Sequence, residues 1–272
     1  MNPELLTLVK QRDRDRYVWV LCLPAKHQKA ALGLLAWNAE IALVAEITSE
    51  PITGAIRLKW WQDALEEIYG NQLVRQHAVA IALAEVIGQH QIPRGLCEQL
   101  ITGRSCDLEV TKGFDHEAQF FAYLDDTAGA LHGLLAWVCD AEAAQAHRST
   151  IAAMAQIYGI CGLLRATPYL AQAGMVRWPK DSLRLFGLGP EAIENGTETE
   201  RFTQFITHWT LEALDRDLAL APLPVSLKPL VLLHHIALTY LHQLVRNHYQ
   251  LSAVPVHLPS LPLRVWWKSV VG

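Results

Sequence analysis

The sequence predicts an all-α protein, and two observations support that prediction. Nearly every segment of the 272-residue chain places apolar residues three or four positions apart, which is the spacing of an amphipathic helix. Alternating runs rich in β-branched residues, which are typical of strands, are nearly absent. Because 51% of the residues are apolar and 18% are charged, the chain can bury a sizeable core. We find no linker long enough to divide it, and we expect one domain over 1–272.

The helices follow from the positions of Pro, Gly and Asn. Pro24 opens a first helix over about 25–48, and Pro51 lies beyond its end. Gly54 precedes a second helix, which runs to about Gly70. Further helices are expected, in order, at about 77–90, 94–103, 117–139, 143–173, 201–219 and 228–249. The stretch 187–201 is predicted to be a loop, and the Pro-rich stretch 253–267 to run over the surface.

Charge and cysteine content exclude several classes of protein. The net charge is −4 and the Lys and Arg residues are scattered, so the sequence predicts no nucleic-acid partner. The first sixteen residues contain acids and arginines without an apolar core segment, which predicts neither a secretory signal nor a transit peptide. The five cysteines show no C-x-x-C spacing and favour reduced thiols in a cytoplasmic protein.

Two apolar stretches approach the length of a membrane span. Residues 30–47 are interrupted by Glu40 and Glu46, and residues 230–245 contain three histidines. Because ionisable groups in hydrocarbon are costly, we interpret both as core helices. The sequence also shows no basic amphipathic helix of the interfacial kind, so we expect membrane contact to be peripheral at most, at the inner membrane.

Acidic residues near the end of the first predicted helix are the first candidates for chemistry. Glu46 and Glu50 are four positions apart and could share a helix face, whereas Glu40 has a different azimuth. Paired carboxylates could bind Mg²⁺. The alternative, which we favour, is an ion pair with Arg57 or Lys59 on the next helix, because buried charges are usually paired.

The adjacent tryptophans Trp60 and Trp61 have different azimuths on the second predicted helix. We expect one of them to enter the core while the other leans toward a neighbouring helix or the surface. His235 and His242 lack the i, i+4 spacing and the nearby carboxylate of a metal site, so we interpret them as core or surface histidines. The sequence therefore predicts no metal centre built on histidine.

Several segments, in a fixed order, resemble the squalene/phytoene synthase family. The opening DRDRYVWVLCLP through SEP and RLKWWQDAL is similar to the opening of one branch of that family. LITGRSCDLEV and FFAYLDDTAGALHGLL resemble its I-x-G-x-x-x-D-L and Y-x-x-x-T-A-G segments. GICGLLRATPYL resembles its late segment, and PLRVWWKSVVG its closing helix. The resemblance implies a single-domain, all-α, isoprenoid-synthase-type helical bundle around a central apolar cavity.

The departures from the family pattern concern its metal motifs. The family joins two prenyl diphosphates head to head, and the resemblance implies two Asp-rich motifs that hold Mg²⁺. The first motif falls on Ala42, Leu43 and Glu46, so only Glu46 is acidic. In the second, Ala166 stands where the first aspartate belongs, and residues 143–180 contain no Asp or Glu. Ordinary family catalysis is therefore disfavoured, because Mg²⁺ needs oxygen ligands.

The remaining site candidates depend on the same resemblance. The second-motif region is basic, with Arg148, Arg165, Arg177 and Lys180, so an anion could dock there without metal; we favour instead a pairing of Arg165 with Glu46 or Glu50. The resemblance makes Tyr123, Thr127, Gly129 and Arg165 candidate ligand-binding residues, although close helix packing is an equal alternative for the small residues at 128–130. Asp125 and Asp126 point about 100° apart and are expected to form a solvated edge.

Three functions remain open. The first is a binding protein without catalysis, with an isoprenoid or lipid as ligand or a role in assembling a respiratory membrane complex. It rests on the missing motif and on resemblance to the branch containing the mitochondrial complex I assembly factor of phytoene-synthase type. The second is an active prenyltransferase that uses Mg²⁺ with acids drawn from Glu40, Glu46, Glu50 and Asp107. The third is a helical adaptor that recognises a protein through Trp266 and Trp267.

Overall fold

The computed structural model describes residues 2–48, 50–194 and 199–271, and it confirms the all-α prediction. The described residues form no β-strand; one isolated bridge joins Lys112 and Val176. The helices of the first half are α1 Pro3–Arg12, α2 Arg14–Leu21, α3 Ala25–Ile47, α4 Pro51–Tyr69, α5 Ala78–His90, α6 Arg94–Glu109 and α7 Glu117–Leu124. Those of the second half are α8 Ala130–Cys139, α9 Ala141–Ala146, α10 Arg148–Gln172, α11 Lys180–Leu185, α12 Pro190–Glu194, α13 Glu200–Leu218, α14 Lys228–Arg246 and α15 Leu261–Val271.

Helix caps explain the two N-terminal helices, which the sequence reasoning missed. The Asn2 side chain accepts a hydrogen bond from the Glu4 amide at the start of α1. The Asp13 carboxylate accepts one from the Arg16 amide, so it begins α2 directly after α1 ends. Each cap satisfies a backbone N–H group that would otherwise lack a partner, which is worth about 1 kcal/mol.

Most predicted helices are confirmed, with shifted ends. The predicted helix at 117–139 is α7 and α8 joined by a π-helical turn over Asp125–Gly129. The predicted helix at 143–173 is two helices, because the Asp140 side chain caps α9 and α10 begins separately at Arg148. Part of the predicted loop at 187–201 lies outside the described residues, and its remainder contains α12 and the start of α13.

The core is continuous from α1 to α15. Leu5 near the N-terminus and Val265 near the C-terminus both belong to one cluster of buried apolar residues. α3 packs against α1, α4 and α5, while α10 packs against α13 and α14. The ring centroids of Trp178 and Trp209 lie 5.3 Å apart, within an aromatic group that includes Phe120 and Phe205. Large rings therefore fill the space between α7, α10 and α13.

The helix α3 is long and apolar enough to cross a membrane, by length and composition. In the folded chain 67% of that apolar stretch is buried against other helices. Every position from Ala30 to Ala39 is buried, so all faces of this part of α3 contact protein. A helix that is apolar on all sides and surrounded by others is typical of a bundle interior.

The tryptophan pair is divided between core and periphery, as predicted. Trp61 is buried, and its ring centroid lies 6.5 Å from that of Trp37 on α3. Trp60 is half-buried, and the Arg75 guanidinium lies 4.7 Å from its ring centroid. The two residues hold α4 against α3 and against the loop that precedes α5.

Candidate functional site

Residues of the first-motif helix line a pocket of about 320 Å³. Ala42, Leu43 and Glu46 form the α3 side of this pocket. The opposite side comes from α1, α2 and α6 and contributes three arginines, Arg12, Arg16 and Arg104, beside Asp13. The pocket is therefore polar, and cations outnumber acids on its wall.

The acidic candidates do not form the predicted interhelical ion pair, and that prediction was wrong. Glu46 and Glu50 are exposed, and α3 ends at Ile47, so the two residues do not share a helix. Among the described residues no ion pair or side-chain hydrogen bond engages Glu40, Glu46 or Glu50. Lys59 pairs at 2.6 Å with Asp63 on its own helix.

Arg16 occupies the interior between α2 and the helices α8 and α10. Its Nη1 lies 2.7 Å from Asp13 Oδ2, and its guanidinium carbon lies 4.3 Å from the Tyr158 ring centroid. The Tyr158 ring in turn makes an edge contact with buried His132, with centroids 5.2 Å apart. Burial raises the pKa of Tyr158 and lowers that of His132 to about 3. A chain of polar side chains thus fills space beside the pocket.

Arg165 does not meet Glu46 or Glu50, which corrects the predicted pairing. Its Nη2 donates hydrogen bonds to Asp15 Oδ2 at 2.8 Å and to the Val256 carbonyl at 2.6 Å. Its guanidinium carbon lies 3.5 Å from the Tyr240 ring centroid. The Tyr240 hydroxyl also donates to Asp15 Oδ1, at 3.2 Å. The arginine therefore ties α10 to α2, α14 and the C-terminal segment, and none of these contacts involves α3.

Asp107, the acid retained from the family segment, is held by basic and phenolic groups. Its Oδ1 accepts a hydrogen bond from the Tyr123 hydroxyl at 2.8 Å, and its Oδ2 lies 3.2 Å from Arg104 Nη1. Arg177 Nε lies 3.5 Å from Oδ1, and Arg177 Nη2 donates to the Asp107 carbonyl at 2.8 Å. Arg104 Nη2 also donates to Asn38 on α3. Asp107 is the centre of a network that joins α3, α6 and α7 to the segment after α10.

Two of the four candidate ligand-binding residues, Tyr123 and Thr127, are hydrogen-bonded to other residues of the protein. Tyr123 is buried against Asp107, and burial raises the pKa of its hydroxyl. The Thr127 hydroxyl is buried and donates to the Tyr123 carbonyl at 2.6 Å. Thr127 belongs to the π-helical turn over Asp125–Gly129, and turns of this kind are often found at functional sites.

The two adjacent aspartates, Asp125 and Asp126, lie in the π-helical turn and accept hydrogen bonds from two different helices. Asp125 accepts a hydrogen bond from Gln156 on α10 at 2.8 Å, and Asp126 accepts one from Gln99 on α6 at 2.9 Å. Both aspartates are half-buried, so the predicted solvated edge was wrong, although they do point to different helices.

The basic wall predicted around the second motif is mostly neutralised, which corrects that expectation. Arg177 meets Asp107, and Lys180 Nζ lies 2.8 Å from Asp115 Oδ1. Arg165 meets Asp15, as described above. Arg148 is exposed at the start of α10 and has no ion pair with any described residue. The sequence reasoning missed these partners because they are remote in sequence, 65 residues away for Lys180 and 150 for Arg165.

Gly129, unlike the other three ligand-binding candidates, lines an apolar pocket of about 560 Å³. Small residues of α8, among them Ala130 and Gly133, form one wall with Trp137. α6 contributes Leu96, and the first turns of α10 contribute further residues beside Arg148. The pocket has the size and the apolar lining of a small-molecule site, with a cation at its margin.

Metal-ligating groups are dispersed in the described parts of the chain. No cluster of three or more His, Cys, Asp or Glu residues suited to a metal ion occurs there. Among the histidines, His234 is buried and its Nε2 lies 2.7 Å from Asp217 Oδ1, while His235 is half-buried and His242 exposed. The five cysteines are free; burial raises the thiol pKa of Cys97 to about 11 and of Cys161 to about 12.

The protein has curated relatives over much of its length. It is 30% identical over 187 residues to the mouse protein named NADH dehydrogenase (ubiquinone) complex I, assembly factor 6, and the match covers 68% of this chain. Because the match covers 55% of the mouse protein, the chain spans about half the length of that relative. A homolog of the same assembly factor in Drosophila melanogaster is 25% identical over 98% of this chain and 83% of its own.

A solved structure and a family model identify the fold and the family of this protein. A squalene synthase from Alicyclobacillus acidocaldarius superposes with a TM-score of 0.74 at 16% identity, over 91% of this chain and 94% of that one. That similarity confirms the isoprenoid-synthase-type fold. The model of the squalene/phytoene synthase family matches residues 9–264. The protein therefore belongs to the squalene/phytoene synthase family.

Proposed function

We propose that this protein uses the squalene/phytoene synthase fold to bind rather than to catalyse, and that it assists the assembly of a respiratory membrane complex. The assembly role is carried over from relatives named as complex I assembly factors. One structural observation supports a loss of catalysis: three aspartates in this region form ion pairs with arginine side chains. Asp13, Asp15 and Asp107 each lie within 3.2 Å of an arginine.

The residues at the two metal-motif positions also suit Mg²⁺ poorly. Mg²⁺ in this fold needs carboxylates on two facing helices, and Ala42 and Ala166 stand at motif positions on α3 and α10. Glu46 is the remaining acid of the first motif, and it faces a pocket with three arginines. A diphosphate entering this pocket would meet cations of the protein itself. The residues present therefore do not fit a Mg²⁺ site of the family type.

A biochemical test separates binding from catalysis. We expect no release of pyrophosphate when the purified protein is incubated with Mg²⁺ and farnesyl or geranylgeranyl diphosphate. The alternative, an active head-to-head prenyltransferase, predicts release that depends on Mg²⁺ and is lost in Glu46→Gln. It also predicts that Mg²⁺ and the diphosphate together raise the melting temperature of the wild type. Release of pyrophosphate would overturn the proposal.

A genetic test addresses the assembly role. Deletion of the gene in its own organism should lower the amount of fully assembled NADH dehydrogenase on native gels. Re-expression of the wild type and of Glu46→Gln should restore it equally, because the proposed role needs no metal chemistry. Normal levels of the assembled complex in the deletion strain would contradict the assembly role.

We further propose that the apolar pocket beside Gly129 holds the isoprenoid or lipid ligand. Its volume of about 560 Å³ suits part of a prenyl or acyl chain, and exposed Arg148 lies at its margin. Gly133→Leu would project a side chain toward Leu96 and reduce the pocket. Lipid extracted from the purified protein and measured by mass spectrometry should fall in this variant. It should be unchanged in Gly88→Leu, where a Cβ meets nothing within 4 Å. Equal lipid content in both variants would reject the pocket.

A further inference from the structure

The C-terminal helix α15 carries apolar side chains on two opposite faces. Leu261 and Val265, one turn apart, are buried against the bundle, where α15 packs on α14 and α2. On a helical projection the outward arc of about 100° contains Leu263, Trp266, Trp267 and Val270. Their exposed fractions are 67%, 52%, 60% and 64%, so none of the described residues covers this face. A helix on the surface of a bundle usually presents polar residues outward.

Basic residues occupy the flank between these two faces. Arg264 and Lys268 are four positions apart and exposed. Their positive charges reach the neighbouring helix: the pKa of His235 on α14 is lowered by burial first, and also by Lys268, His234, Arg264 and His242. Cationic and imidazole groups of α14 and α15 therefore lie together beside the apolar arc.

The last 55 residues contain no acid. All 27 Asp and Glu residues of the chain lie at or before Asp217, although the chain as a whole is acidic. After that position the sequence contains four Lys or Arg and five His. The surfaces of α14 and α15 therefore carry Lys, Arg and His side chains and no acid from either helix. A surface of this kind is complementary to an anionic one.

We propose that the outward face of α15 docks on an anionic lipid surface. Trp266 and Trp267 would lie at the level of the lipid headgroups, where an indole keeps its ring in apolar surroundings and its N–H in polar ones. Leu263 and Val270 lie on the same arc and would enter the acyl boundary. Arg264 and Lys268 extend their charged ends from the flank toward lipid phosphates.

α15 combines basic residues with an outward apolar arc, a combination that the sequence analysis did not anticipate. Pro259 and Pro262 lie beside Leu261, where the helix begins, and they gave this stretch the composition of a loop. Charge and exposure support lipid docking without reference to any partner protein. Membrane binding and assembly are therefore tested by separate measurements.

The test is sedimentation of the full chain with vesicles. We compare phosphatidylcholine vesicles with vesicles that contain about one third phosphatidylglycerol, at salt from about 0.05 to about 0.5 M. The wild type should bind the anionic vesicles and dissociate as salt rises. Trp266→Ser/Trp267→Ser should lower the partition coefficient by about tenfold or more. Arg264→Gln/Lys268→Gln should lower it about fivefold for each cation on anionic vesicles, and leave binding to neutral vesicles unchanged.

A matched control uses exposed apolar residues elsewhere. Leu73→Ser/Leu185→Ser removes side chains that are 90% and 77% exposed and lie outside α15, and it should not change the partition coefficient. Thermal unfolding of every variant verifies that the fold is retained. Three results would overturn the proposal. They are no binding of the wild type to anionic vesicles, equal binding by the tryptophan variant, and a dimer of the wild type that the tryptophan variant dissolves. The last would make the face a contact between two copies.

Discussion

Asp15 Oδ2 lies 2.8 Å from Arg165 Nη2, so an ion pair joins α2 to α10 across 150 residues of sequence. The Asp15 side chain is 8% exposed and that of Arg165 20%, so removal of either partner leaves a charge that water reaches poorly. The same arginine stacks on Tyr240 and donates to the Val256 carbonyl. The pair is therefore a structural connection between α2, α10, α14 and the segment before α15.

We expect Asp15→Asn and Arg165→Met each to lower the free energy of unfolding by about 3–5 kcal/mol, because each leaves an unpaired buried charge. The double variant should lose much less than the sum, as measured by urea unfolding in a double-mutant cycle. Lys59→Met and Asp63→Asn are the control, since that pair is 60% and 39% exposed and should be worth about 1 kcal/mol or less. A coupling energy for Asp15 and Arg165 as small as that of the control would contradict this prediction.

Asp107→Asn tests whether the retained family acid is structural. The change removes the charge that faces Arg104 and Arg177, so we expect a loss of about 3–5 kcal/mol in the free energy of unfolding. Tyr123→Phe removes one hydrogen bond to the same carboxylate and should cost about 1–3 kcal/mol, because the Asp107 oxygen keeps its other partners. Denaturant titration of both variants provides the measurement. An Asp107→Asn protein as stable as the wild type would reject the structural role.

Gly103 of the I-x-G segment is required by a close approach of two backbones. A Cβ at this position would lie 2.8 Å from the Asp126 backbone carbonyl carbon, so the π-helical turn would have to move. We expect Gly103→Ala to destabilise the protein by about 1–3 kcal/mol. Gly162→Ala on α10 is the matched control. A Cβ there meets nothing within 4 Å, and the better helix propensity of Ala should stabilise by up to about 1 kcal/mol. Melting temperatures that shift in the same direction for both variants would disprove this explanation.

His132 should make the protein sensitive to mild acid. Burial first, and then the nearby Arg16 charge, lower its pKa to about 3, whereas the unfolded chain has the ordinary value of about 6.5. Between these values the unfolded state binds more protons, so the free energy of unfolding falls as the pH falls from about 6.5. The contribution of this group is about 1.4 kcal/mol per pH unit, or about 2 kcal/mol by pH 5.

The measurement is urea unfolding from pH 7 to pH 5. His132→Phe retains a ring beside Tyr158 without a titrating group, so its stability should depend less steeply on pH than that of the wild type. His248→Gln replaces an exposed histidine and should leave the slope of the wild type unchanged. Parallel pH profiles for wild type and His132→Phe would show that His132 does not titrate in this way.

The helices were predictable because their signal is local. Apolar spacing, Pro24 and the Gly residues determine α3, α4 and α5 to within four residues at each end, whereas α6 continues six residues beyond its predicted end at 103. The division of Trp60 from Trp61 follows from helix geometry alone. α1 and α2 were missed because their signal is the pair of caps at Asn2 and Asp13 rather than an apolar stripe. The exact ends differ because caps and the π-helical turn act over one or two residues.

The site was less predictable because its partners are remote. Residue spacing on α3 indicates which side chains share a face, but it does not indicate that Glu46 faces outward. No local feature of the LLRATPYL segment connects Arg165 to an aspartate near the N-terminus. The family resemblance indicated Asp107 and Tyr123 as separate candidates, whereas their direct hydrogen bond and the two arginines that contact the aspartate emerged only from the structure.

The partners of Arg165 also set an order of events during synthesis. Asp15 leaves the ribosome before Arg165, whereas the Val256 carbonyl follows Arg165 by 91 residues, and the Leu258 amide that donates to the Tyr240 hydroxyl comes just after it. The guanidinium of Arg165 therefore lacks one of its hydrogen-bond acceptors until this later segment has been synthesised. Contacts between residues so far apart in sequence form late, so the junction of α2, α10 and α14 is completed only after most of the bundle has been translated.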